Sequence, residues 1–581
     1  GKEAIERPEK LSNTQKFETT KITKQDRTVF AALGNLLEKY NDEQKKAIIT
    51  TADKVLCIAG AGSGKTAVLT KRIEFLTKYR SFDENKILAI TFTRKAKQEM
   101  QKRLAGINVR IETFNSFCES ILRQYNDLAY GRTVRVISYR EKFEIIARAL
   151  NKLDLSMEEV INTYFGNPQG KTPEQLTTTL VNDCFTIRDY LKSTSTPAKS
   201  VLREEDEASR LIGKICSFIE TYLNENGLRD FEDQILDTLT LFEKHPNLIP
   251  AFDHLLIDEF QDVNATQMKL VNILNAKNIF LVGDPRQAIY GWRGSDVRHI
   301  LTFAEKNPQS EIIVLTKNYR STKKIISLVN NALPEFTHLE STANKDGEVK
   351  LLGFESEDQE FSYVIEKILS INTPRNEIFV LARTNRQLKE LSEKMRQKNI
   401  THIVRNDEFR KTVMVQEGDV TLATVHSIKG LEATMVFVIG CTSLNFPIKT
   451  NEHPVVEMVK MNDYDKEEEE KRLLYVAMSR AKENLHLTYY GKKHTEFINL
   501  TMKQLLKEKI QTTLTDKLKE WRTELCEQHN IPAYLILNDR TLIDLATKRP
   551  MTKAELEQVH GIGPNKIMRY GDELLDIVAG K

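Results

Sequence analysis

Cysteine is scarce and unpatterned in this chain. Cys57, Cys118, Cys184, Cys216, Cys441 and Cys526 lie far apart with no C-x-x-C. That argues against a zinc site, an iron–sulfur cluster or a disulfide framework and fits a reducing compartment. No apolar run is long enough to cross a bilayer, and no signal peptide is visible. An excess of either charge is also missing: 85 Lys+Arg stand against 82 Asp+Glu, a net charge of +3. Any basic track for nucleic acid must therefore be local. No constellation of acids and lysine marks a nuclease. The first residue is Gly1 rather than Met, as expected of a trimmed or engineered start, so native targeting stays open.

What is present is a phosphate-binding pattern. The apolar run Val55-Leu56-Cys57-Ile58 leads into Ala59-Gly60-Ala61-Gly62-Ser63-Gly64-Lys65-Thr66, a strand entering a glycine-rich loop that follows G-x-x-x-x-G-K-[ST] with Ala59 in the first place. Glycines let backbone N–H groups turn inward around phosphate oxygens. Lys65 is expected to meet the terminal phosphates and Thr66 to give a hydroxyl to Mg²⁺. Downstream, the strand-like Leu255-Leu256-Ile257 ends in Asp258 and Glu259. Asp258 is expected to hold the metal with Thr66, and Glu259 to orient and deprotonate water, which makes the reaction hydrolysis.

The 581 residues suffice for several domains. Residues 1–30 read as a polar tail. Strand-like runs at 54–59, 86–92, 109–113, 254–259, 278–283 and 311–316 alternate with helical patterns, the signature of a doubly wound parallel sheet. Long amphipathic helices, such as Glu141–Leu153 and Ala208–Asn224, fill a helical insert over 120–235. The first motor domain therefore takes 31–119 and 236–317. Runs at 349–353, 377–382, 420–424, 435–439 and 485–489 predict a second α/β sheet over 318–500. A linker helix (501–527) and a small all-α domain (528–581) follow. The acid run Glu467–Glu470 reads as a solvated helix start.

Three stretches carry a resemblance: Asp258-Glu259-Phe260-Gln261-Asp262, the segment from Val282 to Gly294 that contains Gln287, Tyr290, Trp292 and Arg293, and Tyr475-Val476-Ala477-Met478-Ser479-Arg480-Ala481-Lys482. They resemble the superfamily 1 DNA helicases of the UvrD/Rep type, with motifs in family order from about Asn41 to Lys482. The resemblance implies two RecA-like lobes with ATP and Mg²⁺ between them. Gln44 is then the adenine reader and Tyr319 stacks on the base. Arg320 and Arg480 reach the γ-phosphate from the opposite lobe, so that hydrolysis waits for closure. Gln287 senses the γ-phosphate or its water, and Glu432 contacts the ribose. Ala67 stands where relatives often carry arginine, which implies looser base contact.

For DNA, the resemblance points to Thr91, Phe92, Thr113, Asn115, Tyr290, Trp292, Arg293, Thr424 and His426. Aromatics stack on bases of one strand, at about 1–3 kcal/mol each, while hydroxyls and cations hold phosphates. Asn115 replaces the usual His, and its amide is expected to contact a phosphate or a base. The family moves 3′→5′. Its large accessory domain before the motif at Thr424–Glu432 has no room here, which puts duplex engagement in doubt. The last residues, including Gly561-Ile562-Gly563, are similar to a helicase-and-RNase-D C-terminal (HRDC) domain, which touches either DNA or protein. The expected partners are single-stranded DNA, single/double-strand junctions and a repair or replication protein, without a membrane, in the cytoplasm at the nucleoid or in a nucleus. Alternatives are a single-strand translocase that strips proteins with little unwinding, and an ATP-gated DNA-binding scaffold.

Overall fold

Apolar runs without alternation are buried on both faces of parallel sheets. The strand Lys54–Ala59 shows this, its last five residues all buried. It lies inside a six-stranded parallel sheet in the order Arg110–Thr113, Ile87–Thr91, His254–Ile257, Asn278–Gly283, Lys54–Ala59, Glu311–Leu315. The computed structural model describes residues 17–166, 172–193, 206–345, 347–405, 418–448, 455–456, 465–506, 509–510, 514–529 and 532–579.

The chain folds as two units. Residues up to Gly347, with Lys429–Glu432 and Pro447–Glu483, form the first; Glu348–Ile428, Ala433–Phe446 and the chain from Asn484 form the second. Both are α/β around a parallel sheet. The second sheet has seven strands in the order His402–Arg405, Val420–Thr424, Ile378–Ala382, Ala433–Val438, Ala481–Tyr490, Glu348–Phe354, Lys509–Ile510. The two-residue strand Lys509–Ile510 pairs in parallel with Leu352 and Gly353; nothing in the Lys-rich sequence around it announces a strand.

In the first unit, residues 17–30 differ from the expected tail; residues 1–16 lie outside the described residues. Phe17 is buried. Thr20 Oγ1 exchanges hydrogen bonds with the backbone of Val314 on the edge strand. The helix Lys24–Ala32 starts from a capping box made by Thr23 and Asp26.

The insert is helical as expected, with shifted borders. The helix Phe114–Gln124 belongs to the sheet layer, because Phe117, Cys118, Ile121 and Leu122 pack in its core. A short parallel pair, Arg135–Val136 against Leu228–Arg229, closes the base of the insert. Between them run the helices Tyr139–Lys152, Met157–Phe165, Pro173–Ser193 and Glu207–Glu225. Leu211, Ile212, Ile215, Ile219 and Leu223 recur at helical spacing and are buried in this core. Each such side chain contributes about 1.5–3 kcal/mol. Val455 and Val456, far along the chain, join the same core.

The C-terminal bundle contains Leu514–His529, Asp539–Lys548 and Pro564–Ala579 as its longer helices. Leu518 sits in its core with Leu542, Leu545 and Leu574. Trp521 meets Tyr570 edge-on at 5.6 Å and donates to Glu573 at 2.6 Å. The helix expected as a linker is thus the first member of the bundle. Among the described residues no helix is long and apolar enough to cross a membrane.

Candidate nucleotide and nucleic-acid site

The loop after Lys54–Ala59 turns at two left-handed glycines, Gly62 (φ 70°) and Gly64 (φ 84°), and Gly64 caps the helix Lys65–Lys78. A β-carbon on Gly62 would lie 2.6 Å from both Arg320 Cβ and Asn318 Nδ2, so only glycine fits. Neighbouring segments brace this loop through its carbonyls. Asn318 Nδ2 donates to Ala61 O (2.6 Å), Gln44 Nε2 to Ser63 O (2.9 Å), the Tyr319 amide to Gly62 O (2.9 Å) and Ser63 Oγ to Gly60 O (2.8 Å). The Ser63 amide also donates to Gly60 O (3.2 Å); the other loop N–H groups and the N-terminus of the helix, where Lys65 and Thr66 stand, are left to meet an anion.

Gln44 has a local role as well. It is the N3 residue of a capping box whose N-cap is Asn41, and its Oε1 accepts the Asn41 amide at 3.1 Å. Asn41 Nδ2 in turn donates to the Tyr319 hydroxyl at 2.7 Å. The two candidate base-contacting side chains are therefore joined through Asn41, and Tyr319 keeps half its surface exposed.

The strand His254–Ile257 delivers Asp258 and Glu259 beside the loop. Glu259 takes a left-handed backbone (φ 50°), a strained choice for a carboxylate residue. Its Oε2 lies 3.4 Å from Lys65 Nζ and accepts Gln261 Nε2 at 2.7 Å. Burial alone would raise its pKa, but Lys65, Lys429 and Arg480 together hold it well below the ordinary range, so it is ionised. Asp258 is pushed the other way, by burial first and by the charge of Glu259 second. A buried carboxyl held next to a second carboxylate fits a divalent cation.

The remaining candidates pack around this pair. Arg480 is 1% exposed. Its Nη2 donates to Gln287 Oε1 at 3.1 Å and its Nε to Val476 O at 3.0 Å. Burial, reinforced by nearby Arg320, lowers its pKa to about 9. Gln287 Nε2 donates to Asp284 (2.9 Å). Arg320 Nε donates to Glu432 at 2.6 Å and its Nη1 to Ser479 O at 3.2 Å. Glu432 thus holds an arginine. Arg320 and Arg480 fall in the same compact unit as the loop. The cause is local, since Asn318 and Tyr319 bond the loop carbonyls while Ser321 Oγ donates to Ala481 O (2.6 Å), which ties the two arginine segments together.

Lys429 received no role from the sequence. Its ammonium donates to Asp262 Oδ2 (2.5 Å) and to Gln287 O (2.6 Å) and stands 4.9 Å from the Tyr290 ring centre. It lies inside a motif whose neighbours were assigned, which was the available signal. Glu469, expected in a solvated helix start, is 2% exposed and accepts the Gly291 amide at 2.8 Å. The helix Lys466–Met478 begins where the acid run predicts, and only part of that run faces water.

Of the residues expected on DNA, Tyr290, Trp292 and Arg293 form one cluster. The Arg293 guanidinium lies 4.4 Å from the Trp292 ring centre and 5.6 Å from that of Tyr290, within cation–π range. Thr91 is fully buried, and Phe92 packs edge-on against Phe114 at 5.7 Å. Thr113 caps the helix Phe114–Gln124 in a box with Ser116. Asn115 Nδ2 donates to Phe231 O (2.7 Å) and to Gln234 Oε1 (3.0 Å). Both amide hydrogens are used, so only Oδ1 is left to offer; that oxygen accepts from a base edge and not from a phosphate. Thr424 and His426 stand in the second unit, Thr424 at the end of its strand with Oγ1 donating to Ser427 Oγ (3.0 Å).

Residues 40–308 match the UvrD/REP helicase N-terminal domain, residues 313–411 and 406–492 the UvrD-like helicase C-terminal domain, and residues 511–578 the HRDC domain. The chain is 32% identical to the ATP-dependent DNA helicase PcrA of Staphylococcus epidermidis over 389 residues, 63% of this chain and 51% of that protein. It is 33% identical to the PcrA of Staphylococcus aureus over 391 residues, with the same coverage. The chain spans about half the length of these curated relatives. By the two helicase domains it matches and the phosphate loop they enclose, it belongs to the UvrD/REP helicase family and carries a C-terminal HRDC domain.

Proposed function

We propose that this chain hydrolyses ATP to move 3′→5′ along single-stranded DNA and to open duplexes at single/double-strand junctions. The observation that carries the reading is the convergence on one loop of Lys65, the ionised Glu259, Gln287, Arg320 and Arg480. Lys65 and the loop amides bind and orient the phosphates. Glu259, kept ionised by its cationic neighbours, accepts the proton of the attacking water. Gln287, held between Asp284 and Arg480, positions that water, and the two guanidiniums spread over the charge of the transferred phosphoryl group. Thr66 and Asp258 would hold Mg²⁺, which supplies further neutralisation of phosphate charge. Tyr290, Trp292 and Arg293 make a stacking platform that reads no sequence. A pathway in repair, replication or recombination, with a protein partner from it, follows from the same reading.

A second reading, a translocase that strips proteins and unwinds little by itself, is favoured by one observation. Residues 406–419 are all that separates the paired strands His402–Arg405 and Val420–Thr424. The test is strand separation on two matched duplexes, one with a 3′ tail and one with a 5′ tail. Unwinding from the 3′ tail alone is expected. Unwinding from the 5′ tail alone would overturn the polarity, and ATP turnover without unwinding from either tail would favour the second reading.

A further inference from the structure

We propose that the helix Phe231–Lys244 is a bracket through which the helical insert sets the grip on single-stranded DNA, with Gln234 as its positioning residue. The inference rests on the DNA-motor reading above, because it takes Asn115 to face the strand.

The two sides of the first turns of this helix are engaged differently. On the insert side, Asp233 is 5% exposed and accepts both Arg188 Nη2 bonds (2.9 and 2.8 Å) and Lys192 Nζ (2.5 Å). Arg188 is itself 2% exposed and also meets Asp189 at 2.9 Å, while Lys192 reaches Glu220 at 2.9 Å. Lys142, from a third insert helix, donates to the N-cap residue Asp230 at 2.7 Å. Two insert helices therefore bond one helix end directly, and the helix of Glu220 joins through Lys192.

On the motor side, Gln234 is 4% exposed, and both ends of its amide are committed. Its Oε1 accepts Asn115 Nδ2 at 3.0 Å and its Nε2 donates to Glu119 Oε2 at 2.7 Å. Glu119 also receives Arg229, from the strand that closes the base of the insert. Phe231 O takes the second Asn115 hydrogen. The orientation of Asn115, and so the direction of its one remaining acceptor, is fixed by atoms of the bracket. A buried charge cluster moves as a unit, because separating any partner strands a charge. A shift of the insert therefore carries Asp233, Gln234 and Asn115 with it.

The test is Gln234→Leu in the full chain, which keeps the volume and removes both hydrogen bonds, with Asp233→Asn as a milder variant from the insert side. Three quantities are read: ATP turnover without DNA, the oligothymidylate concentration giving half-maximal stimulation together with direct binding by anisotropy, and amide hydrogen exchange over residues 113–120. Gln234→Leu is expected to leave basal turnover unchanged, to weaken oligothymidylate binding about 10-fold and to speed exchange at the start of the helix Phe114–Gln124. Adding Asn115→Ala to Gln234→Leu is expected to cost little more, since the two act in series. Unchanged exchange and unchanged oligothymidylate affinity in both single variants would overturn the bracket. A wild-type chain whose turnover ignores DNA would overturn the motor reading instead, and the exchange result would still decide the bracket.

Discussion

Individual side chains in this protein carry conflicting charge demands, and their geometry shows which wins. Lys65 stands 3.4 Å from Glu259, so it neutralises a carboxylate until phosphate competes for it. Lys65→Ala is expected to lower ATP turnover at least about 100-fold, the scale of losing one preorganised charge in a phosphoryl-transfer site; turnover within a few-fold of normal in a steady-state assay would contradict the loop assignment. Lys429 is the sole cation bonded to Asp262 among the described residues, and both are nearly buried. Lys429→Met strands that carboxylate and is expected to destabilise the first unit by about 3 kcal/mol at pH 8. The cost shrinks toward pH 5, because burial already lifts Asp262 to about 6 and it then takes a proton instead. Chemical denaturation at the two pH values checks the sign; an equal loss at both would contradict it. At this scale the sequence showed the residues with a motif around them and hid the ones that act across it. Lys429 and Gln261 sit inside motifs without a visible role, and Asn318 stands beside Tyr319 and Arg320 without one. Gln234 lies in no motif, and its partner Asn115 is 119 positions away.

Elements were legible where one pattern dominates. Apolar runs mark the parallel strands, and all eleven expected runs overlap an observed strand; 254–259 runs two residues past its own because Asp258 and Glu259 already leave the sheet, and 485–489 covers half of Ala481–Tyr490. Borders were not legible where an amphipathic helix serves two masters. Phe114–Gln124 reads like an insert helix but packs on the sheet, and Leu514–His529 reads like a charged linker although Leu518 is fully buried. The strand Ala481–Tyr490 carries a titration prediction. His486 is fully buried, and burial pushes its pKa down to about 4 despite Glu348 at 3.0 Å. As pH falls from about 6.5 to about 4 the unfolded chain protonates first, so stability is lost across that window. Glu360, also fully buried, is raised by burial to about 7 and accepts Thr488 Oγ1 at 2.6 Å. As pH rises from about 4.5 to about 7 the unfolded chain ionises first, so its contribution is lost in the opposite direction. Relative to the unsubstituted chain, His486→Gln is expected to gain in stability toward acid and Glu360→Gln to gain toward neutrality, each by up to about 3 kcal/mol. Urea midpoints at pH 4.5 and 7 decide this, and shifts of the same sign in both variants would contradict it.

At the scale of the whole molecule, two α/β units carry a helical insert on one and a helical bundle on the other. The bundle has its own core, so removing residues 511–581 is expected to leave ATP turnover in place and to change affinity for forked DNA. Equal binding to forks, tails and single strands with and without it would remove the DNA role. The residues grouped around the loop all come from the first compact unit, including segments beyond residue 317 that match the UvrD-like helicase C-terminal domain. Tertiary hydrogen bonds such as Asn318 to Ala61 decide that, and no local pattern reports them. In the proposed motor, single-stranded DNA drives ATP turnover. Steady-state ATP hydrolysis by the intact chain, with and without oligothymidylate and beside Lys65→Ala, tests it directly. A rise in turnover of at least about 10-fold with DNA, absent in Lys65→Ala, is the expected result; turnover that DNA leaves unchanged, or that survives in Lys65→Ala, would contradict it.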